Sequence, residues 1–431
     1  MKRMFFPLLT IFTVLSSFAQ EGQPERMSLN ISLNDAKQYA IEHNRSLQNA
    51  SLSVKQAEAS RWQTIATMLP QAKASIDYSN MCGYNMQIGG FSVPMNPSGT
   101  LAITASIAIT GSQIVGTLLK NIAIDMSNVQ AKQTEQTVSS NVTTTYYSIL
   151  AMEETVVLLE KNLKNMQDIY ARAQNAVKVG TSEQTTADQI SVQLASYQSS
   201  INSTKRQVET LYNMLRIYLG AGVDCDIILT EKLEDLLNID TTIDLLSSDL
   251  ILDNNYDYQL VSKNTELAKK QITLTAMDYV PSLSGYYQYS AKTYFGAAEG
   301  MNTTPPNMVG VSLGIPIWSS GKRASAVTEK KLAYAAAQNT LADTEDLLKV
   351  QDKQLKYNLK SAYETYEVQK KNINVTQSVF ENVSKKFEFG YASSTEVTTA
   401  TQELLTAQTN YISSMLEMVN AYINLKNLLN K

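Results

Sequence analysis

The sequence predicts a mixed α and β chain in which very long helices carry short pairs of strands, the whole arranged as a tandem duplication. Three observations carry this reading. Proline and glycine are confined: no proline lies between Pro97 and Pro281 or after Pro316. No glycine lies from Thr117 to Val179, and Gly390 is the only one from Lys322 onward. The passages LPQAKASIDYS (69–79) and VPSLSGYYQYS (280–290) repeat one device, an apolar residue and proline followed by alternation ending in Tyr-Ser. The chain also opens with an export leader.

That leader is MKRMFFPLLTIFTVLSSFAQ. Lys2 and Arg3 supply the charge, Phe5 to Val14 the apolar run, and Ser17 and Ala19 the small residues of a cut after Ala19. Residues 1–19 are therefore expected to be a signal peptide. The run is too short to span a bilayer as a helix. An exported chain of 431 residues with two cysteines, Cys82 and Cys225, has no disulfide framework. A single histidine, His43, argues against a metal centre built on His and Cys. It lies in AIEHNRSL and reads as a surface helix residue. With 36 Lys and Arg against 40 Asp and Glu, the chain is mildly acidic, which argues against nucleic acid as a partner. No cofactor is expected.

The first repeat is expected over 20–220. It begins with a helix (about 33–68) that Pro70 ends, because proline pushes the preceding residue out of the helical region. A strand follows over about 71–80, with Ala72, Ala74, Ile76 and Tyr78 on one face and Lys73, Ser75, Asp77 and Ser79 on the other. A loop rich in Gly, Pro, Asn and Met spans 81–99. A second strand over about 100–110 sets Leu101, Ile103, Ala105, Ile107 and Ile109 against Ala102, Thr104, Ser106, Ala108 and Thr110. Then comes a helix with no strong breaker for over 60 residues, about 100 Å at 1.5 Å per residue. A compact domain cannot hold it, so it belongs to coiled-coil-like packing. Its tract AKQTEQTVSSNVTTTYYS (131–148) is unusually rich in neutral polar residues. It reads either as a weak surface helix or as one lining water inside an assembly. A turn near 180 sends a helix back.

Residues 221–253 form an acidic linker, in which Lys232 is the sole basic residue from Val223 to Asp253. The second repeat, 254–431, has the same order: a helix (about 254–278), Pro281, strands over about 282–292 and 308–318, a long helix, a turn near 390 and a return helix. A shift of about 211 residues lays Asn44 on Asn255, Gln48 on Gln259, Ala57 on Ala268 and Pro70 on Pro281. Gly180 falls on Gly390 with a shift of about 210.

Each hairpin has arms of about ten residues, which when tilted fit the roughly 25 Å apolar band of an outer membrane. Alternation alone also fits an ordinary half-buried sheet. The leader, the lack of an apolar helix span and the attached long helices favour a membrane barrel. Four strands cannot close one, and an open edge in lipid leaves backbone groups unpaired. Neighbouring copies are therefore expected to complete it.

The ordered set resembles the TolC family of outer-membrane efflux proteins. The resemblance covers nearly the whole chain after the leader. It rests on the duplicated order of elements, on WQTIATMLPQAKASIDYS, LTAMDYVPSLSGYYQYS and GIPIWSSGKRAS, and on the turns VKVGTSEQTTADQ and FEFGYASSTEVTTATQELLTAQ. It implies a long α-helical coiled-coil barrel joined to a transmembrane β-barrel completed by trimerisation, with four strands per chain and the linker as an equatorial collar. It implies an outer-membrane location, helices reaching into the periplasm, and a passive exit duct for efflux or secretion. The partners it implies are two further copies, outer-membrane lipid, a periplasmic adaptor and an inner-membrane transporter.

The resemblance also implies site residues. Relatives narrow the tunnel tip with carboxylates. The matching position, six residues after the tip glycine, is Glu396 in the second repeat. In the first it is Thr186, a departure, with Asp188 two residues on. Glu396 reads equally as a charge favouring the start of the returning helix. The turns at Gly180 and Thr181, and at Gly390 and Tyr391, are the expected adaptor-docking points. Both glycines also suit a helix end that needs positive φ.

Two other classes fit the sequence less well. An exported coiled coil without a pore has no use for Ile103, Ile107, Ile315 and Ile317 on one exposed face. An enzyme finds no support: SSGKRAS lacks the preceding glycine of a phosphate loop, and no nucleophile or acid–base pair stands out.

Overall fold

The computed structural model describes residues 28–233, 244–295 and 305–431. The expected leader and linker residues 234–243 lie outside the described residues. The chain starts with strand β1 (Ser28–Ile31) and helix α1 (Leu33–His43), then α2 (Arg45–Ala66). Strand β2 (Gln71–Ser79) leads to a small hairpin, β3 (Asn85–Ile88) and β4 (Phe91–Pro94), and then to β5 (Ser98–Ile109). Helix α3 (Gly111–Lys178) runs 68 residues, and α4 (Gln184–Leu219) returns. Strand β6 (Asp226–Leu229) lies in the linker. The second half holds α5 (Tyr256–Ala276), β7 (Ser282–Tyr294), β8 (Asn307–Gly314), α6 (Lys322–Glu388, 67 residues) and α7 (Ser394–Leu429).

Three differences from the sequence reading have a physical cause. The helix expected over 33–68 is two helices broken at Asn44. The Asn44 side chain caps α2, accepting from the N–H groups of Ser46 and Leu47 at 2.8 and 3.3 Å. The loop at 81–99 holds the β3–β4 hairpin, whose arms of four residues are too short for a period to show. Strand β8 stops at Gly314 rather than 318; two residues on stands Pro316, which has no N–H to extend a ladder. The linker contributes β6, which pairs in parallel with β1, Ser28 opposite Asp226.

The four long strands form one antiparallel sheet in the order β2-β5-β7-β8. Its register sorts the side chains. Ile76 lies opposite Leu101, Ala74 and Tyr289 flank Ile103, and Leu283 lies opposite Leu313. That face carries Ile76, Tyr78, Ile103, Ile107, Tyr287, Val309 and Val311, all exposed. The other face carries Lys73, Ser75, Thr104, Ser106, Ser284, Tyr286, Gln288 and Ser312 in register. Strands β2 and β8 leave the two edges open.

The helices start where the strands stop. Thr110 caps α3, its side chain taking the Gln113 N–H while Gln113 accepts from the Thr110 N–H at 2.9 Å. Below the sheet, α2 lies along α3, and α5 lies on α6 and α3. Farther down α3 pairs with α4, and α6 with α7. The main core gathers where α1, α3, α4, α6 and α7 meet. It includes Ile31, Ala40, Val142, Tyr146, Ile149, Leu215, Leu359, Met415 and Leu425. The polar tract 131–148 is packed there, with Val138, Val142, Thr143, Thr145 and Tyr146 buried. Its hydroxyls bond back along the helix, Thr143 to the Ser139 carbonyl at 2.7 Å and Ser140 to Gln136 at 2.8 Å. That removes their demand for water.

The linker is held onto this core. Arg216 donates its Nε–H to the Cys225 carbonyl at 2.7 Å, and the Glu231 carboxylate accepts the Leu33 N–H at 2.6 Å. Cys225 is buried and free, and burial raises its thiol pKa; Cys82 is exposed and free. His43 is exposed, its ring stacked on Tyr39 at 4.1 Å.

Candidate functional site: the helix tips and the strand sheet

The two turns at the far end of the long helices are built alike. In the first, Thr181 N–H donates to the Ala176 carbonyl at 2.9 Å and Gly180 N–H to Val177 at 3.0 Å. In the second, Tyr391 N–H donates to Lys386 at 2.8 Å and Gly390 N–H to Phe387 at 3.0 Å. Each pair satisfies the last carbonyls of a long helix and requires a left-handed residue between them. Gly180 has φ of +76° and Gly390 of +77°, and no atom lies within 4 Å of where a Cβ would stand. These turns end in solvent. Val179, Phe389 and Tyr391 are all strongly exposed, Tyr391 at 84 %.

Glu396 is the third residue of a capping box at the start of α7. Its carboxylate accepts from the Ser393 N–H at 2.7 Å and the Ser393 hydroxyl at 2.9 Å, while Ser393 Oγ accepts the Glu396 N–H at 3.2 Å. The bonds from the Ser393 backbone and side chain hold the Glu396 carboxyl below the usual glutamate range. Its partner Ser393 went unremarked in the sequence, although Ser-x-x-Glu is a readable helix-start signature.

The first turn has no such box. Glu183 precedes α4 without a side-chain cap bond. Thr186 is half-buried and donates its N–H to the Glu183 carbonyl at 3.1 Å. Asp188 is exposed and accepts from Gln184 Nε2 at 2.8 Å. Within one chain, no bond joins Glu396 to Thr186 or Asp188 among the described residues. The two turns instead meet through Ser394, which donates to Gln189 Oε1 at 3.0 Å, and through the 2.6 Å ion pair of Arg172 with Glu388. Neither contact was foreseen, because each pairs residues some 200 positions apart with no motif of their own.

At the opposite end, one face of the sheet is apolar and the other largely polar. No described helix is long and apolar enough to cross a membrane. The exposed apolar row continues past β8 through Ile315 and Ile317 to Trp318, 85 % exposed. Among the described residues no group of His, Cys, Asp or Glu is placed to hold a metal ion.

The family described as outer membrane efflux protein matches residues 37–221 and 248–431. The Campylobacter jejuni CmeC outer membrane channel superposes with a TM-score of 0.75 at 16 % identity, covering 92 % of this chain and 85 % of that one. The CusC structure, described in terms of folding and transmembrane channel formation, covers 99 % of this chain and 98 % of its own, with a TM-score of 0.74 at 17 % identity. The open state of the Neisseria gonorrhoeae MtrE outer membrane channel gives 0.73 at 15 % identity, covering 92 % and 88 %. At these identities the likeness is one of fold. No curated protein matches the chain by sequence.

Proposed function

The chain belongs to the outer membrane efflux protein family, and on that premise we propose that three copies form an exit duct fed by a periplasmic adaptor and an inner-membrane transporter. The protein resides in the outer membrane with its helices extending into the periplasm, and it serves as an efflux channel there. The carrying observation is the four-stranded sheet whose edges β2 and β8 are both open, at the head of helices about 100 Å long. The apolar face suits lipid and the polar face a lumen. Backbone groups on an open edge cost several kcal/mol each in hydrocarbon, so the β8 edge of one copy takes the β2 edge of the next. In the chain β2 runs opposite to β5 and β7 opposite to β8, so that junction is also antiparallel. Three copies give twelve strands.

The helices that continue from these edges support the same assembly. Helix α2 has no buried residue, and α6 has none before Leu348. Both flanks are free for a neighbour. An exported rod without a pore would leave the exposed apolar face of the sheet without a purpose.

The tips are the docking end. Their exposed Val179, Phe389 and Tyr391 offer apolar contacts on rigid turns. Glu396 both caps α7 and, repeated three-fold, places negative charge at the narrow end.

The test is assembly and conduction together. Extracted from outer membranes in mild detergent, the protein runs as a trimer, and in a planar bilayer it gives discrete conductance steps. A folded, water-soluble monomer, or trimers without conductance, would overturn the reading. Co-purification of an inner-membrane transporter with the intact trimer tests the partner assignment separately.

A further inference from the structure

Tyr286 lies on the polar face of β7, opposite Gly310 on β8 and Ser106 on β5. On one side along the strands its neighbours on this face are small, Ser284 and Ser312; on the other they are Thr104, Gln288 and Met308. Tyr286 is the one aromatic side chain of its row, which runs Gln71, Ser106, Tyr286 and Gly310. Its ring is folded sideways over Gly310. A Cβ on Gly310 would stand 2.5 Å from the ring carbon Cζ and 2.7 Å from the hydroxyl oxygen. The ring occupies the place that any other residue at 310 would need for its side chain. An aromatic ring laid over a strand glycine covers the exposed backbone and fills the gap on the pleat.

We propose that Gly310 is a positioning residue for the lumen: it gives the Tyr286 ring a floor to lie on, and so keeps the phenol against the wall rather than across the channel. The inference rests on the duct reading, which makes this polar face the lumen side. Any Cβ at 310 drives the ring off the wall, because the backbone of β8 is held in the ladder and the Tyr286 side chain is the part free to rotate. Three-fold repetition places three such rings at one level of the barrel. Their position then sets the free cross-section at that level of the barrel, in series with the narrow end at the tips.

The experiment is single-channel conductance of purified trimers in planar bilayers, with parent, Gly310→Ala, Tyr286→Ser and the double variant compared at fixed salt. Gly310→Ala is expected to lower conductance. Tyr286→Ser is expected to change it little, since the ring already lies against the wall. The double variant is expected to regain the parental value. Equal conductance in Gly310→Ala and parent overturns the proposal, as does a loss that persists in the double variant. If Gly310→Ala does not assemble, Tyr286→Ser alone still decides: a severalfold rise means that the ring already stands in the lumen, and the proposal fails. Absence of conductance in the parent would overturn the duct reading itself, and this inference with it.

Discussion

Asn162 donates a 2.7 Å hydrogen bond to Gln408, and both side chains are buried between α3 and α7, the first long helix and the last return helix. The pair sits in an apolar seam with Leu159, Met166 and Leu404 close by in sequence, all buried. A polar pair in such a seam is satisfied in one register only, because a shift of one helix strands both amides. It therefore ties the first repeat to the second at one relative height.

Asn162→Leu should destabilise the helical barrel by about 1–3 kcal/mol, the cost of a buried amide left without its partner. The double variant Asn162→Leu/Gln408→Leu should recover most of that loss. Thermal melting of the detergent-solubilised protein measures both. A single variant as stable as the parent would show that the pair is solvated rather than buried.

Gly220 and Gly180 make a contrast. Both have positive φ, +73° and +76°. At Gly220, a Cβ would overlap the His43 carbonyl and stand 2.7 Å from its carbon, whereas at Gly180 it meets nothing within 4 Å. Gly180→Ala should cost only the left-handed strain, about 1 kcal/mol. Gly220→Ala should cost clearly more, because α4 must move away from the junction of α1 and α2. Comparing the two melting curves tests this; equal losses would mean that the junction yields freely.

Gly180→Val and Gly390→Val should leave trimers in the outer membrane and abolish export. The strained turns lie about 100 Å along the helices from the strands that hold the protein in the bilayer. Immunoblotting of trimers paired with accumulation of a transporter substrate reads the outcome. Normal export in both variants would remove the tips from docking, and loss of trimer would assign the glycines to folding.

Glu396→Gln removes a charge but keeps an oxygen that can accept from Ser393, since glutamine also completes a capping box. Assembly should be intact and cation preference weaker. In the parent, the two bonds from Ser393 hold the carboxyl below the usual glutamate range. Its folded pKa is depressed, so its cap contributes stability above the unfolded pKa and loses it as pH falls through the folded pKa. Cation preference should accordingly persist at pH values where a free glutamate is already protonated. Reversal potentials in a salt gradient across a pH series measure this, and a selectivity unchanged by Glu396→Gln would leave the residue as a helix cap alone.

Much of the architecture is legible in the chain itself. The absence of proline and glycine from two long tracts points to long helices, since nothing in them interrupts the backbone ladder. Alternation at 71–79 and 282–290 makes strands with one apolar face, because the side-chain period of a strand is two. Asn44 and Asn255 stand out as a repeated match before the structure explains them. Each caps a helix and also donates across to the end of a return helix, Asn44 to the Tyr218 carbonyl at 2.7 Å and Asn255 to Leu428 at 3.0 Å. Only the tertiary structure decides that second role, because it depends on segments some 174 residues apart. The same holds for β1 with β6: four residues on each side show no period, and they pair where Arg216, Glu231 and the buried Ile31 and Ile227 hold the linker on the core. At the tips, the sequence carries the glycines and the Ser393–Glu396 signature, which are local. The ion pair of Arg172 with Glu388 and the folding of Tyr286 onto Gly310 are not local. They follow from which helix or strand lies alongside which, and packing alone sets that.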